Sequence, residues 1–221
     1  MQFSKLIIFD WDGTLMDSVA RIVSAMRVTA EAVRLSVPEE QAVKDIIGLS
    51  LEPALVRLFG QLPDDQKSQF LARYRDEYVD LNTTPTPLFS DAIDTLDALR
   101  TSGHGVAVAT GKARRGLDRV WQETRVGHLF HGSRCADETC GKPDPEMLHQ
   151  LMQEFQVSER DTIMVGDSVH DMQMARAAGV HAIGVDFGVH DADRLKAAGA
   201  VHVISQLQQL PALIKGDVWP D

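Results

Sequence analysis

The sequence predicts an α/β protein, a doubly wound parallel sheet with an all-helical domain inserted after its first strand. Three observations carry that expectation. Short, continuous apolar runs recur along the chain, as expected of strands buried on both faces. Segments with helical spacing lie between them, and such alternation implies a parallel sheet. The stretch from about Met16 to about Thr84 breaks the alternation: it holds helical patterns and no convincing strand. The expected core is Rossmann-like and comprises residues 1–15 and 85–221, with a helical cap over 16–84.

The first strand is Lys5-Leu6-Ile7-Ile8-Phe9, bounded by an Asp-Gly turn signal. Val19, Ile22, Val23, Met26, Ala30 and Val33 then follow helical spacing. Ala42, Val43, Ile46 and Ile47 suggest a short helix stopped by Gly48, and Leu55, Val56, Leu58 and Phe59 another stopped by Gly60. Phe70, Tyr74, Tyr78 and Leu81 suggest the last helix of the insertion. Asp17-Ser18 marks the departure from the core, and Pro85 and Pro87 the return, so two linkers side by side make a natural hinge. Beyond them, Ser90 is placed to cap a helix carrying Ile93, Leu96 and Leu99, followed by Gly103. Strands are expected at 105–109, 162–165, 182–185 and, more weakly, 201–204. Asp144 is placed to cap a helix with Pro145 at its first position. A third core helix should start at Ser168 and stop at Gly179.

Composition narrows the partners. The 221 residues are 44% hydrophobic and 24% charged, with a formal net charge of -10. The acidic balance disfavours nucleic acid and anionic membranes. No apolar run approaches the roughly 20 residues needed to span a bilayer, and the N-terminal run lacks the length and cleavage site of a secretory signal. A cytoplasmic protein is expected, as monomer or homodimer. Cys135 and Cys140, with His128, His131 and His149 nearby, could suggest a zinc loop, but their spacing is not a common paired-cysteine pattern, and two reduced structural thiols are the expectation.

In a parallel sheet, ligands bind at the edge where strands end. The first strand ends in Asp10-Trp11-Asp12-Gly13-Thr14, the second in Thr110-Gly111-Lys112, and a later one in Gly166-Asp167-Ser168, with Asp171 one helical turn on. Lys142 precedes a helix start in Gly141-Lys142-Pro143-Asp144-Pro145. Singly, each has an ordinary reading: a strand-end Asp is a turn former or cap, Asp167 and Asp171 suit a helix N-terminus, and Lys112, Arg114 and Arg115 suit a solvated helix face. Together they bring acid, hydroxyl and cation to one small volume.

The order and spacing of these motifs resemble the haloacid dehalogenase-like hydrolase superfamily over nearly the whole chain. Its Asp-x-Asp-Gly-Thr is matched at Asp10–Thr14, its strand-ending Thr or Ser by Thr110, its Lys-Pro by Lys142-Pro143 and its acidic pair by Asp167 and Asp171. The run Asp-Gly-Thr-Leu-Met-Asp-Ser and the Lys-Pro-Asp-Pro stretch look most like the phosphoglycolate phosphatase-like branch. The resemblance implies a magnesium-dependent phosphatase acting on a small phosphorylated metabolite. Asp10 would be the nucleophile, forming an aspartyl-phosphate, and Asp12 the general acid and base. Magnesium would be held by the Asp10 carboxylate, the Asp12 main-chain carbonyl and the Asp167 carboxylate, with Asp171 outside that set. Gly13, Thr14, Thr110, Gly111, Lys112 and Lys142 would serve the phosphoryl group.

Within the superfamily, a dehalogenase would not need Asp12, and a phosphonate hydrolase would need a reactive cap lysine such as Lys44 or Lys67. A sugar-phosphate mutase usually reads Glu-Asp where this chain has Gly166-Asp167. A phospho-acceptor signalling module shares the Asp, Thr, Lys and magnesium but lacks Asp12 and the helical insertion. The loop Gly48-Leu49-Ser50 matches the usual position of the cap's specificity element, and its plain alternative is an interhelical turn. Arg21, Arg27, Lys44 and Arg57 are the cap cations considered for the leaving group, with phosphoglycolate as the named candidate.

Overall fold

A computed structural model describes residues 3–216. Six parallel strands form one sheet in the order β3-β2-β1-β4-β5-β6. They are β1 (Leu6–Phe9), β2 (Gly105–Thr110), β3 (Gly132–Cys135), β4 (Thr162–Gly166), β5 (His181–Val185) and β6 (His202–Ile204). Strand β1 is central: Phe9 registers with Val108 of β2 and with Val165 of β4. The chain therefore places Asp10 at the middle of the sheet's C-terminal edge. The order reverses direction at β1, which makes this edge the switch point where α/β sheets bind ligands.

The apolar runs become fully buried strands because each face of the sheet is covered. On one side Ile7, Phe9, Val106 and Val108 pack with α5 (Ala92–Thr101) and α6 (Arg114–Thr124). On the other, Leu6, Ile8, Ala107 and Met164 pack with α7 (Glu146–Phe155) and α8 (Val169–Ala178). Helix α9 (Ala192–Ala198) adds Leu195 to the second face, and α10 (Leu210–Lys215) adds Ile214 to the first.

Strand β3 was not expected. Gly132-Ser133-Arg134-Cys135 has no apolar run, and only Cys135 of the four is buried, as suits an edge strand. Three local expectations also shift. Helix α5 has Asp91, not Ser90, at its N-cap, and it buries Ala92, Thr95, Leu96 and Leu99 while Ile93 faces out, 43% exposed. Helix α7 begins one residue late, at Glu146, whose N–H is received by Asp144 Oδ1 at 2.9 Å. Helix α8 starts from Ser168 and ends at Gly179 as expected, with Ser168 and Asp171 forming a reciprocal capping box.

The insertion comprises α1 (Val19–Ala32), α2 (Glu40–Lys44), α3 (Leu51–Phe59) and α4 (Asp64–Asp76), which runs into a π-helical turn at Glu77–Leu81. Ile46 and Ile47 are buried in turns after α2 rather than inside it. These helices share their own hydrophobic cluster, centred on Met26, Val43, Leu55 and Phe70. Leu81 and Val56 stay outside it. The two linkers are tied together: Asp17 N–H bonds Pro87 O at 2.8 Å, Phe89 N–H bonds Leu15 O at 3.0 Å, and Met16 bridges antiparallel to Leu88. No helix among the described residues is long and apolar enough to cross a membrane.

Candidate active site

Four charged groups meet, buried, at the sheet edge. Lys142 Nζ lies 2.7 Å from Asp10 Oδ1 and 2.7 Å from Asp171 Oδ1. Asp10, Asp167 and Asp171 have oxygens within 4.8 Å of one another. All four residues are at most 3% exposed. Three carboxylates thus face one ammonium in a medium that penalises unbalanced charge.

Electrostatics follow from that imbalance. Burial, with Asp171 and Asp12 nearby, raises Asp10 to about 7, and Lys142 offsets only part of the effect. Burial and the neighbouring acids raise Asp167 as well, against the Val189 N–H and Thr14 hydroxyl it accepts. Burial disfavours the charged Lys142, yet Asp10 and Asp171 reverse this and hold it firmly protonated. Asp10 Oδ2 is buried and receives no hydrogen bond. An orphaned anionic oxygen beside a second acid with excess negative charge is what a hard divalent cation satisfies, so the residues present fit magnesium.

The supporting contacts show what holds each acid in place. Thr14 Oγ1 donates to Asp167 Oδ1 at 3.0 Å and so orients that acid. Gly13 has φ +77, and a Cβ there would collide with the Asp167 carboxylate. Val189 N–H donates to Asp167 Oδ2 at 2.9 Å. Asp171 accepts from Ser168 N–H and Oγ at 3.1 and 2.6 Å through Oδ2 while Oδ1 meets Lys142, so both its oxygens are engaged. Thr110 ends β2, fully buried, and its hydroxyl accepts the Lys112 N–H at 3.2 Å, shaping the turn at Gly111.

Asp12 sits apart from the buried cluster. Its Oδ1 receives Ser18 Oγ at 2.6 Å and lies 3.0 Å from Lys112 Nζ. Lys112 Nζ also reaches Tyr78 Oη at 3.4 Å and stands over that ring. Burial works against its charge, but Asp12 and Tyr78 outweigh burial and raise Lys112. Lys112 is therefore a partner of Asp12 in this arrangement. Ser18 and Tyr78 were missed as site residues. Ser18 was legible only as a departure point, and Tyr78 only as one position on a helical stripe.

The loop Gly48-Leu49-Ser50 rests on the sheet edge. A Cβ on Gly111 would lie 2.7 Å from the carbonyl oxygens of both Gly48 and Leu49, so glycine at 111 is what admits this loop. Ser50 Oγ packs beside Gly141, and Gly48, at φ +99, beside Ser168. Asp45, just before the loop, ties it to the core. Its Oδ1 lies 2.9 Å from Arg194 Nη1 and 3.3 Å from His190 Nε2, and its carbonyl is 3.1 Å from His170 Nε2. Burial opposes ionisation of Asp45, but hydrogen bonds with Gln41, Arg194 and His190 keep its carboxyl below the usual range. Burial holds both histidines below theirs. Nothing in the sequence joins residues this far apart.

Between insertion and core lies a cavity of about 730 Å³, with Asp10, Asp12, Gly111 and Lys112 on its core side and Ile22, Met26, Gly48 and Leu49 on the other. None of Arg21, Arg27, Lys44 or Arg57 lines it, nor does Lys67. Arg21 donates to Thr84 O, and Arg27 to Pro38 O and Glu40. Cys135 is buried and its thiol pushed up to about 12 by burial, and Cys140 is exposed. Cys140 lies near the carboxylates of Asp144 and Glu146, and among the described residues no candidate metal cluster joins either cysteine to a histidine.

A parallel sheet edge lined by buried acids under a helical roof defines an α/β protein with a ligand-sized cavity at its switch point. The sequence profile described as haloacid dehalogenase-like hydrolase matches residues 7–185, and the chain belongs to that family. It is 32% identical to the protein named Probable phosphatase IndB of Dickeya dadantii, over 93% of this chain and 97% of that one. It is 29% identical to a phosphoglycolate phosphatase of Vibrio vulnificus, over 93% and 94%. A haloacid dehalogenase-like hydrolase structure from Bacteroides fragilis superposes with a TM-score of 0.85 at 28% identity, covering 95% of this chain and all of that one.

The charge imbalance makes a stability prediction. Asp10 is raised in the folded state from an unfolded value near 4 to about 7. The folded form therefore binds the extra proton, and this group's contribution to stability falls as pH rises between those values. Metal-free Asp10→Asn should melt above the metal-free parent at pH 7.5, by roughly 2–4 °C for each kcal/mol relieved. The gap should close toward pH 4. Thermal melts in EDTA across that range test it, and a lower melting point for the variant at pH 7.5 would contradict the charge argument.

Proposed function

We propose that the chain is a magnesium-dependent phosphatase that hydrolyses a small phosphate monoester through a phosphorylated Asp10. The observation that carries this reading is the buried Asp10–Lys142 pair beneath the cavity, with Asp10 Oδ2 free of any hydrogen bond. The named phosphatase relatives support the reaction class. Phosphoglycolate, for which the Vibrio vulnificus relative is named, is the reference substrate.

Phosphate monoesters resist hydrolysis because an anionic nucleophile must approach an anion. The Asp10 carboxylate attacks phosphorus, the bond from phosphorus to the leaving oxygen breaks, and Asp12 gives the leaving oxygen its proton. Water then attacks phosphorus, Asp12 takes the water's proton, and the Asp10–phosphorus bond breaks to release phosphate. Lys142 fixes the Asp10 carboxylate through Oδ1. Thr110 and the main-chain N–H groups after Asp10 and at Gly111 receive phosphoryl oxygens. Asp10, the Asp12 carbonyl and Asp167 would hold magnesium, and Asp171, with both oxygens committed, stays outside. When bound, the ion supplies positive charge that offsets repulsion between Asp10 and phosphate. Ser18 and Lys112 hold Asp12 from one oxygen and leave the other outside those bonds.

On this reading residues 16–84 act as a cap and residues 1–15 and 85–221 as the catalytic core. The linker ladder is the hinge, and the loop 48–50 closes over the nucleophile to exclude water.

Asp10→Asn should abolish turnover of an aryl phosphate while circular dichroism stays native; near-normal rates would remove the nucleophile. Asp12→Asn should lower kcat at least about 100-fold, the scale of a lost general acid. Acid-quench labelling should then find phosphate trapped on the protein, and unchanged kcat would end the acid/base assignment. Dialysis against EDTA should remove activity and added magnesium restore it, so full turnover in chelator would argue for a metal-free reaction.

A further inference from the structure

The cavity above Asp10 is large for a two-carbon acid. A water takes about 30 Å³ in the liquid, so 730 Å³ has room for roughly two dozen waters. That is the range of sites for ring-bearing ligands. Its wall from the insertion is apolar, with Ile22, Met26, Ile46 and Leu71, and Tyr74 and Tyr78 add aromatic surface.

Charge on the lining is uneven. Arg115 and Arg119 stand four residues apart on α6, hence on one helix face, and Arg75 comes from α4. All three line the cavity. Arg75 and Arg115 are exposed and have no ion-pair partner among the described residues, while Arg119 stands 5.6 Å over the Tyr78 ring and 3.8 Å from Glu123. The acids beyond the catalytic pair that also line the cavity are engaged elsewhere: Asp137 accepts the Arg114 N–H at 2.8 Å, and Glu52 lies 3.8 Å from Lys67. In a chain of net charge -10, two unpaired arginines on the wall of one cavity supply local positive charge suited to an anion.

We propose that the substrate is a phosphate monoester whose leaving group has an apolar, ring-sized body and a second anionic group at its far end. The body lies against Ile22, Met26, Leu71 and Tyr78, and the distal anion meets Arg75 and Arg115, with Arg119 behind them. This rests on the phosphatase reading and names its substrate class.

Three primary alkyl phosphates separate the parts: 4-carboxybenzyl phosphate, benzyl phosphate and phosphoglycolate. They have the body and the anion, the body alone and the anion alone. The expected order of kcat/KM puts 4-carboxybenzyl phosphate first, at least about tenfold above each of the others, since one matched contact discriminates by 10-fold or more. The double variant Arg75→Ala/Arg115→Ala should shrink the ratio of 4-carboxybenzyl to benzyl phosphate below about threefold, chiefly through KM, and lysines at both positions should restore part of it. Equal or better turnover of phosphoglycolate, or a ratio untouched by the double variant, overturns the substrate class and leaves the phosphatase standing. No turnover of any of the three with magnesium sinks the phosphatase reading and this inference with it.

Discussion

Everything at the sheet edge depends on one buried ammonium. Lys142 touches Asp10 and Asp171 at 2.7 Å each, and a third acid, Asp167, lies within reach of both carboxylates. Removing that cation would leave three acids without a countercharge in a low-dielectric interior, where an unpaired ion costs several kcal/mol. Even with Lys142 in place, burial first and the neighbouring acids second push Asp10 and Asp167 toward their neutral forms. On the proposed reading, the cluster's shortage of positive charge is what a bound cation would fill. The surrounding structure secures that imbalance. Ser168 and Asp171 lock α8 by their capping box, Gly13 and Gly188 leave room for Asp167, and Val189 and Thr14 hold its two oxygens.

The sequence made the residues of this cluster legible because each is tied to a local signal. A buried strand must stop, and its stop places the next residue at the edge, which is how Asp10, Thr110 and Asp167 could be read together. Lys142 was legible through its Pro-flanked helix start. Edge strand β3 escaped because a strand buried on one end only needs no apolar run. Ile93 escaped because helical periodicity fits several faces, and the sheet chose the one through Ala92, Leu96 and Leu99. The links from Asp45 to His170, His190 and Arg194 span more than a hundred residues, and no local pattern encodes them. Arg115 was read as part of a solvated face, and exposure made that reasonable; only the helices of the insertion turn that face into a cavity wall.

Glycines mark where the two parts of the molecule meet. Gly111 and Gly48 are small for the same reason from opposite sides, since each allows a backbone or hydroxyl of the other part to approach. The loop bearing Val189 and His190 joins the two regions as well: one N–H holds Asp167, and the next side chain reaches Asp45. Contacts at the acidic cluster and contacts at the insertion therefore share a short stretch of chain.

The paired linkers have a further consequence, in the chain's entropy. Strands β1 and β2 are neighbours in the sheet, yet the whole insertion lies between them in sequence. Because Asp17 and Pro87 are bonded at 2.8 Å, the insertion leaves and returns at one point and imposes no separation on the strands it interrupts. It lengthens the loop joining β1 to β2 roughly fourfold, and at about 0.6 kcal/mol per doubling that adds only about 1 kcal/mol of closure entropy. A segment able to recast the space above the sheet edge is thus carried at an energetic cost comparable to one net hydrogen bond. The sheet could tolerate many different insertions at this junction without being redesigned.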